Sequence, residues 1–164
     1  MARATSRDQT WTAFLDLWDE LLEEGRTPGT VIVVEGENDV RSLRRLGVDG
    51  RILALHRGHR LPILAKDLGR SAVRVVLLFD WDAQGGRWTR QMRDLLTPGT
   101  VEVDLDLRRR LAGTTRGEVV HVEGLYGWAR RLAETNGAPL EHFRPSLEAI
   151  PIPTPDGPGD DPTG

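Results

Sequence analysis

The run VVLLF, Val75 to Phe79, ends directly in Asp80-Trp81-Asp82, and few folds accommodate that junction. Five consecutive apolar residues, followed shortly by Gly85-Gly86, read as a strand buried on both faces, as in a parallel sheet covered by helices. In extended chain, alternate residues share a face and stand about 6.6 Å apart, so Asp80 and Asp82 point one way and Trp81 the other. Carboxylates in that relation repel each other, and a divalent cation, basic side chains or solvation at the strand end can offset the repulsion. The glycine pair lets backbone approach a ligand before a helix expected to begin near Arg87. An aspartate at such a junction also suits the N-cap of that helix.

A second run of the same kind lies upstream. After the turn at Pro28-Gly29, TVIVV ends in Glu35-Gly36, and residues 38–46 follow as a helix with Asn38 or Asp39 at its start and Gly47 past its end. Residues 51–55 form a third strand, followed by HRGHR and a short helix over 61–69. The strand 73–79 leads to a helix over 87–96 and a turn at Pro98-Gly99. A short strand over 100–103, a helical turn around LRRRLA, the apolar stretch EVVHV and a helix over 125–135 complete the pattern. Strands alternating with helices specify an α/β layer fold with a mainly parallel sheet of about four strands. Ligands of such sheets sit beyond the carboxyl ends of the strands, which is where Glu35, Asp80 and Asp82 fall. Three carboxylates from two strands are therefore expected on one rim.

Residues 10–24, TWTAFLDLWDELLEE, place Trp11, Phe14, Leu15, Trp18, Leu21 and Leu22 at helical spacing, an amphipathic helix ending at Gly25 whose tryptophans suit a core or a packing lid. The chain of 164 residues divides into this helix within 1–27, an α/β domain over 28–135 and a Pro/Gly/Asp-rich tail over 136–164, which is expected to be disordered or loosely held. Without cysteine, disulfides, zinc–cysteine sites and thiol nucleophiles are excluded, so any metal is held by oxygen or histidine. No apolar run approaches the roughly 20 residues of a membrane span. The start MARATSRDQT lacks the apolar core of a secretion signal, so a cytoplasmic location is expected.

Charge is unevenly spread. Residues 8–24 carry six acids and no base, whereas residues 41–93 carry twelve Lys or Arg against four Asp. The asymmetry points to an anionic partner facing the middle of the chain. The basic residues there are Arg except for Lys66; Arg suits bidentate phosphate contact, and codon bias in a GC-rich genome would give the same excess.

The pairing of VIVVEGENDVRSLRRLGV (residues 31–48) with VVLLFDWDAQGGR (residues 75–87) resembles the Toprim domain of DnaG-type primases, topoisomerases, OLD-type nucleases and ribonuclease M5. In length and layout the chain is most similar to the small stand-alone Toprim proteins of archaea, over residues 28–135. The resemblance implies a Rossmann-like Toprim fold with helices on both faces of the sheet. It implies Mg²⁺, with Mn²⁺ as a substitute, bound through Asp80 and Asp82, and Glu35 as general acid/base or further metal ligand. Magnesium's preference for oxygen ligands agrees with that set. Gly36, Gly85, Gly86 and the helix-start acid Asp39 would support the site, and Arg87, Arg90, Arg57 and Arg60 would meet phosphate, although each taken singly is more simply read as solvated helix or loop surface. His56 and His59 read as part of a basic loop, and His121 as a strand-end residue beside Glu123.

The chain departs from ribonuclease M5 in having Ala83 and Gln84 where a further acid would follow the aspartates. Priming and strand passage are not expected of this chain alone, whose one tyrosine is Tyr126. Three functions remain open. The first is a metal-dependent nuclease acting on RNA or DNA. The second is a non-catalytic module that binds metal and nucleic acid and docks a protein partner through the acidic helix with Trp11 and Trp18. The third is a haloacid-dehalogenase-type phosphatase, which also uses DxD but needs a later lysine that this sequence lacks.

Overall fold

Side-chain alternation along the two apolar runs decides the architecture. In the computed structural model, which describes residues 6–56 and 60–137, these runs form the adjacent central strands β1 (Thr30–Val34) and β3 (Arg74–Leu77). Val31, Val33, Val75, Leu77 and Phe79 enter one core, while Ile32, Val34, Val76 and Leu78 enter the other. Each strand thus needs apolar residues on both faces, which is why neither run alternates with polar ones.

The sheet is fully parallel, in the order β2-β1-β3-β4, with β2 at Arg51–Ala54 and β4 at Glu102–Asp104. Helices α3 (Leu61–Ser71) and α4 (Ala83–Leu96) cover one face. The other is covered by α1 (Ser6–Arg26), α2 (Glu37–Arg45), α5 (Asp106–Thr115) and α6 (Leu125–Thr135). The chain steps outward from β1 to β2, then returns across β1 to β3 and continues to β4. Helices leaving β1 and β3 therefore diverge to opposite faces, opening a crevice at the carboxyl ends of these two strands.

Several boundaries differ from the sequence reading. The run 73–79 leaves the ladder after Leu77, although the Leu78 amide still donates to the Val33 carbonyl at 2.8 Å. Beyond it, the Phe79 and Asp80 carbonyls accept from the Arg108 guanidinium at 2.9 and 2.7 Å, not from a strand. Helix α4 begins at Ala83 instead of near Arg87, because Asp82 caps it: its Oδ1 accepts from the Gly85 amide at 2.7 Å. The glycine pair thus lies in the first helical turn. A Cβ on Gly85 would stand 1.8 Å from the Asp80 carbonyl oxygen, so only glycine lets this turn close over the strand end. The stretch EVVHV is not a strand, since the Val120 carbonyl accepts from the Trp81 amide at 3.0 Å and the Val119 carbonyl from the Trp81 indole.

The N-terminal helix is part of the core. Trp11, Phe14, Leu17, Trp18 and Leu21 are all buried. Phe14 meets the Trp128 ring edge-on at 5.2 Å, and the Trp18 indole donates to the Leu46 carbonyl at 2.6 Å. Trp11 and Trp18 are therefore core residues, as one reading of their spacing had it, and do not form an exposed aromatic face. Part of the basic excess is likewise structural. Arg44 donates to the Val48 and Gly50 carbonyls. Arg74 pairs with Glu24, Glu102 and Asp104 at the end of β3 remote from the crevice. Among the described residues no helix is long and apolar enough to cross a membrane. The expectations placed on Arg57, His59 and the tail beyond residue 137 fall outside the described residues.

Candidate metal centre and cleft

The crevice brings the three predicted acids together. Glu35 leaves the end of β1 and its Oε1 accepts from the Asp80 amide at 3.1 Å, across a sequence separation of 45 residues. Asp80 is buried, and its Oδ1 accepts from the Val122 amide at 2.9 Å. Asp39, on the first turn of α2, is also buried and reaches back to accept from the Gly36 amide at 2.9 Å. Gly36 therefore supports the site through its N–H as well as through its place at the strand end.

Electrostatics separate these acids. Burial, reinforced by the charges of Asp80, Asp82 and Asp39, pushes the Glu35 carboxyl up to about 7, and the hydrogen bond from Asp80 only partly offsets this. Burial and the Asp80 charge raise Asp39 to about 6, against the amides of Gly36 and Glu123. Burial and the neighbouring acids thus set Glu35 apart from an ordinary exposed carboxylate.

His121 occupies a position the sequence did not disclose. It lies on an irregular segment just before the 3-10 turn Val122–Gly124, not at a strand end. Its Nδ1 stands 2.8 Å from Asp80 Oδ2 and 3.8 Å from Asp82 Oδ2. The hydrogen bond with Asp80, aided by the charges of Asp80 and Asp82, raises its pKa against the opposing effect of burial. One ligand atom from each of Asp80, Asp82 and His121 lies within 4.8 Å of the others, a spacing suited to a metal ion. Glu35 lies outside that cluster of three, although its carboxylate feels both aspartates. The donor set of two carboxylates and an imidazole fits a divalent cation.

An open cleft of about 840 Å³ runs from these acids along the strand ends. Glu35, Gly36, Glu37, Asp39, Asp80 and Glu123 form its polar side, while Leu55, Leu61 and Trp88 provide an apolar wall. His56, expected in a basic loop, stands at the cleft with its Nε2 3.1 Å from Glu37 Oε1.

The arginines divide. Arg60 directly precedes α3 and is exposed, and Arg87 lies on the first turns of α4; neither lines the cleft. Arg90 lies further along α4, its Nη1 3.7 Å from where a Gly86 Cβ would stand, with Arg108 Nη2 3.9 Å from the same point. The Arg90 and Arg108 guanidinium groups thus lie together beside Gly86, at distances that an added methyl group would tolerate. Arg108, unremarked within LRRRLA, is half-buried, and burial lowers its pKa despite the nearby acids. Its sequence signal is poor, because three consecutive arginines on a helix do not reveal which one turns inward. The signal for His121 is only that a polar ring interrupts an apolar stretch.

Residues 30–105, the sheet with its first connections, match the model of the Toprim domain. The chain is 33% identical over 129 residues to a UPF0292 protein of Methanosarcina barkeri, covering 75% of this chain and 87% of that one. It is 32% identical over 124 residues to a UPF0292 protein of Pyrococcus furiosus, covering 76% and 92%. Among solved structures, a putative protein from Aquifex aeolicus matches with a TM-score of 0.56 at 29% identity, over 66% of this chain and 94% of that one. With the parallel 2-1-3-4 sheet and the glutamate and DxD acids at its switch point, these likenesses show that the chain belongs to the UPF0292 family of Toprim-domain proteins.

Proposed function

We propose that this protein is a Mg²⁺-dependent phosphodiesterase acting on nucleic acid, a nuclease of the ribonuclease M5 type. The observation that carries this reading is the meeting of Glu35 and Asp80 at one end of an open cleft, with Asp82 beside Asp80. Asp80 and Asp82 would hold the ion, which when bound neutralises a phosphodiester and activates the attacking water. Glu35, whose carboxylate lies against the Asp80 amide, would accept or return the proton of the attacking or leaving oxygen. Arg108 fixes the carbonyls of Phe79 and Asp80 and so holds the aspartate loop in place. Arg90, beside it, would meet a phosphate at the rim, and Arg87 and Arg60, outside the cleft, would meet more distant phosphates of a long substrate. A haloacid-dehalogenase reading finds no support, since the sole lysine, Lys66, precedes the DxD on α3.

The test is cleavage of end-labelled single-stranded, duplex and hairpin RNA and DNA with Mg²⁺, Mn²⁺ or EDTA. Cutting that requires metal, disappears in Asp80→Asn/Asp82→Asn and falls by about 10²- to 10⁴-fold in Glu35→Gln is expected. Equal inertness of wild type and variants on every substrate would leave a binding module in place of the enzyme.

A further inference from the structure

We infer that His121 is a direct nitrogen ligand of the ion held by Asp80 and Asp82, making a mixed carboxylate–imidazole centre whose affinity for divalent transition ions relative to Mg²⁺ exceeds that of the aspartates alone. The inference rests on the metal-site reading above and goes beyond it in ligand and in metal.

The geometry is the first argument. Around an octahedral ion with bonds of about 2.1 Å, neighbouring ligand atoms stand about 3 Å apart and opposite ones about 4.2 Å. The separations of 2.8 and 3.8 Å from His121 Nδ1 to the two aspartates lie close to that range. Small rotations of the half-exposed imidazole and of Asp82, neither fully buried, would complete the set.

Attachment of the segment is the second. The residues around His121 are fastened to the aspartate loop on both sides: Val119 and Val120 through the Trp81 indole and amide, and Val122 through Asp80 Oδ1. The imidazole is therefore carried by the same unit that carries the carboxylates. Its nearest side-chain partners are those two acids, so the polar work available to Nδ1 is to bond Asp80 or to join Asp80 in holding an ion.

Chemistry then sets the preference. Mg²⁺ is bound through oxygen and retains water, whereas imidazole suits transition ions, whose affinity for nitrogen-containing sites rises from Mn²⁺ through Fe²⁺ and Co²⁺. A site made only of Asp80, Asp82 and Glu35 would offer oxygen alone, which suits Mg²⁺ and Mn²⁺ alike.

The experiment is pulsed electron paramagnetic resonance of Mn²⁺ added to the full-length protein prepared with ¹⁴N- or ¹⁵N-histidine. A directly bound nitrogen gives a modulation that changes with the isotope. It should persist in His56→Ala and vanish in His121→Ala, with Mn²⁺ affinity falling at least about 10-fold, the scale on which even outer partners of metal ligands act. Mg²⁺ should compete less well against Mn²⁺ in wild type than in His121→Ala. Mn²⁺ bound without isotope-sensitive modulation would overturn the inference and leave an all-oxygen metal site standing. Modulation that survives in His121→Ala would overturn it too. Absence of any Mn²⁺ or Mg²⁺ binding by wild type would remove the metal reading itself. The isotope comparison uses wild-type protein, so it decides the matter even if His121→Ala does not fold.

Discussion

Burial and neighbouring acids shift the Glu35 and Asp39 carboxyls upward, and the consequence is measurable without substrate. In the metal-free protein the folded state keeps a proton on Glu35 up to about 7, whereas the ordinary value is 4.5. Its contribution to stability is therefore fully present below about pH 4.5 and is lost as pH rises through about 7. Asp39 acts in the same direction with a folded value of about 6. Thermal unfolding in EDTA should show a melting temperature that declines across this window, and Glu35→Gln should flatten the decline. Gly85 gives a second residue-level prediction. Its missing Cβ would stand 1.8 Å from a backbone oxygen of Asp80, so Gly85→Ala must displace the loop itself. A loss of about 2 kcal/mol in denaturant unfolding, with weaker metal binding in calorimetry, is expected.

The elements show a division of labour that substitutions can separate. Asp82 both caps α4 through Oδ1 and offers Oδ2 toward His121. Asp82→Ser keeps an N-cap acceptor but removes the charge, so it should remain near wild-type stability while losing metal affinity. Asp82→Ala should lose both, with about 1 kcal/mol of stability going with the cap, as read by chemical denaturation. The same double role explains what the sequence disclosed. Strands β1 and β3 were legible because burial on both faces leaves continuous apolar runs, and the acids at their ends were legible because a parallel sheet gathers its functional groups there. The start of α4 was not, since Gly85-Gly86 looks like a loop until the Asp80 carbonyl is seen pressed against it. Nor were Arg108 and His121, which reach Asp80 from 28 and 41 residues away on segments whose local pattern carries no directional signal.

Across the whole molecule, α1 is as much a part of the fold as the sheet. Phe14, 1% exposed, joins Trp11, Trp18 and Trp128 in an aromatic cluster that closes the face of the sheet carrying α2, α5 and α6. Phe14→Ala should cost about 3–5 kcal/mol in denaturant unfolding, a loss comparable to the total stability of many small domains.

The fastening of Asp80 to Val122 and His121 also has a meaning in time. The sheet is complete once residue 104 has been made, yet the carboxylate at its centre has no partner from the 119–122 segment until that segment has emerged and folded back. A chain growing on the ribosome would thus acquire its acids early and its finished centre late, so an incomplete copy carries the family's signature without the assembled chemistry.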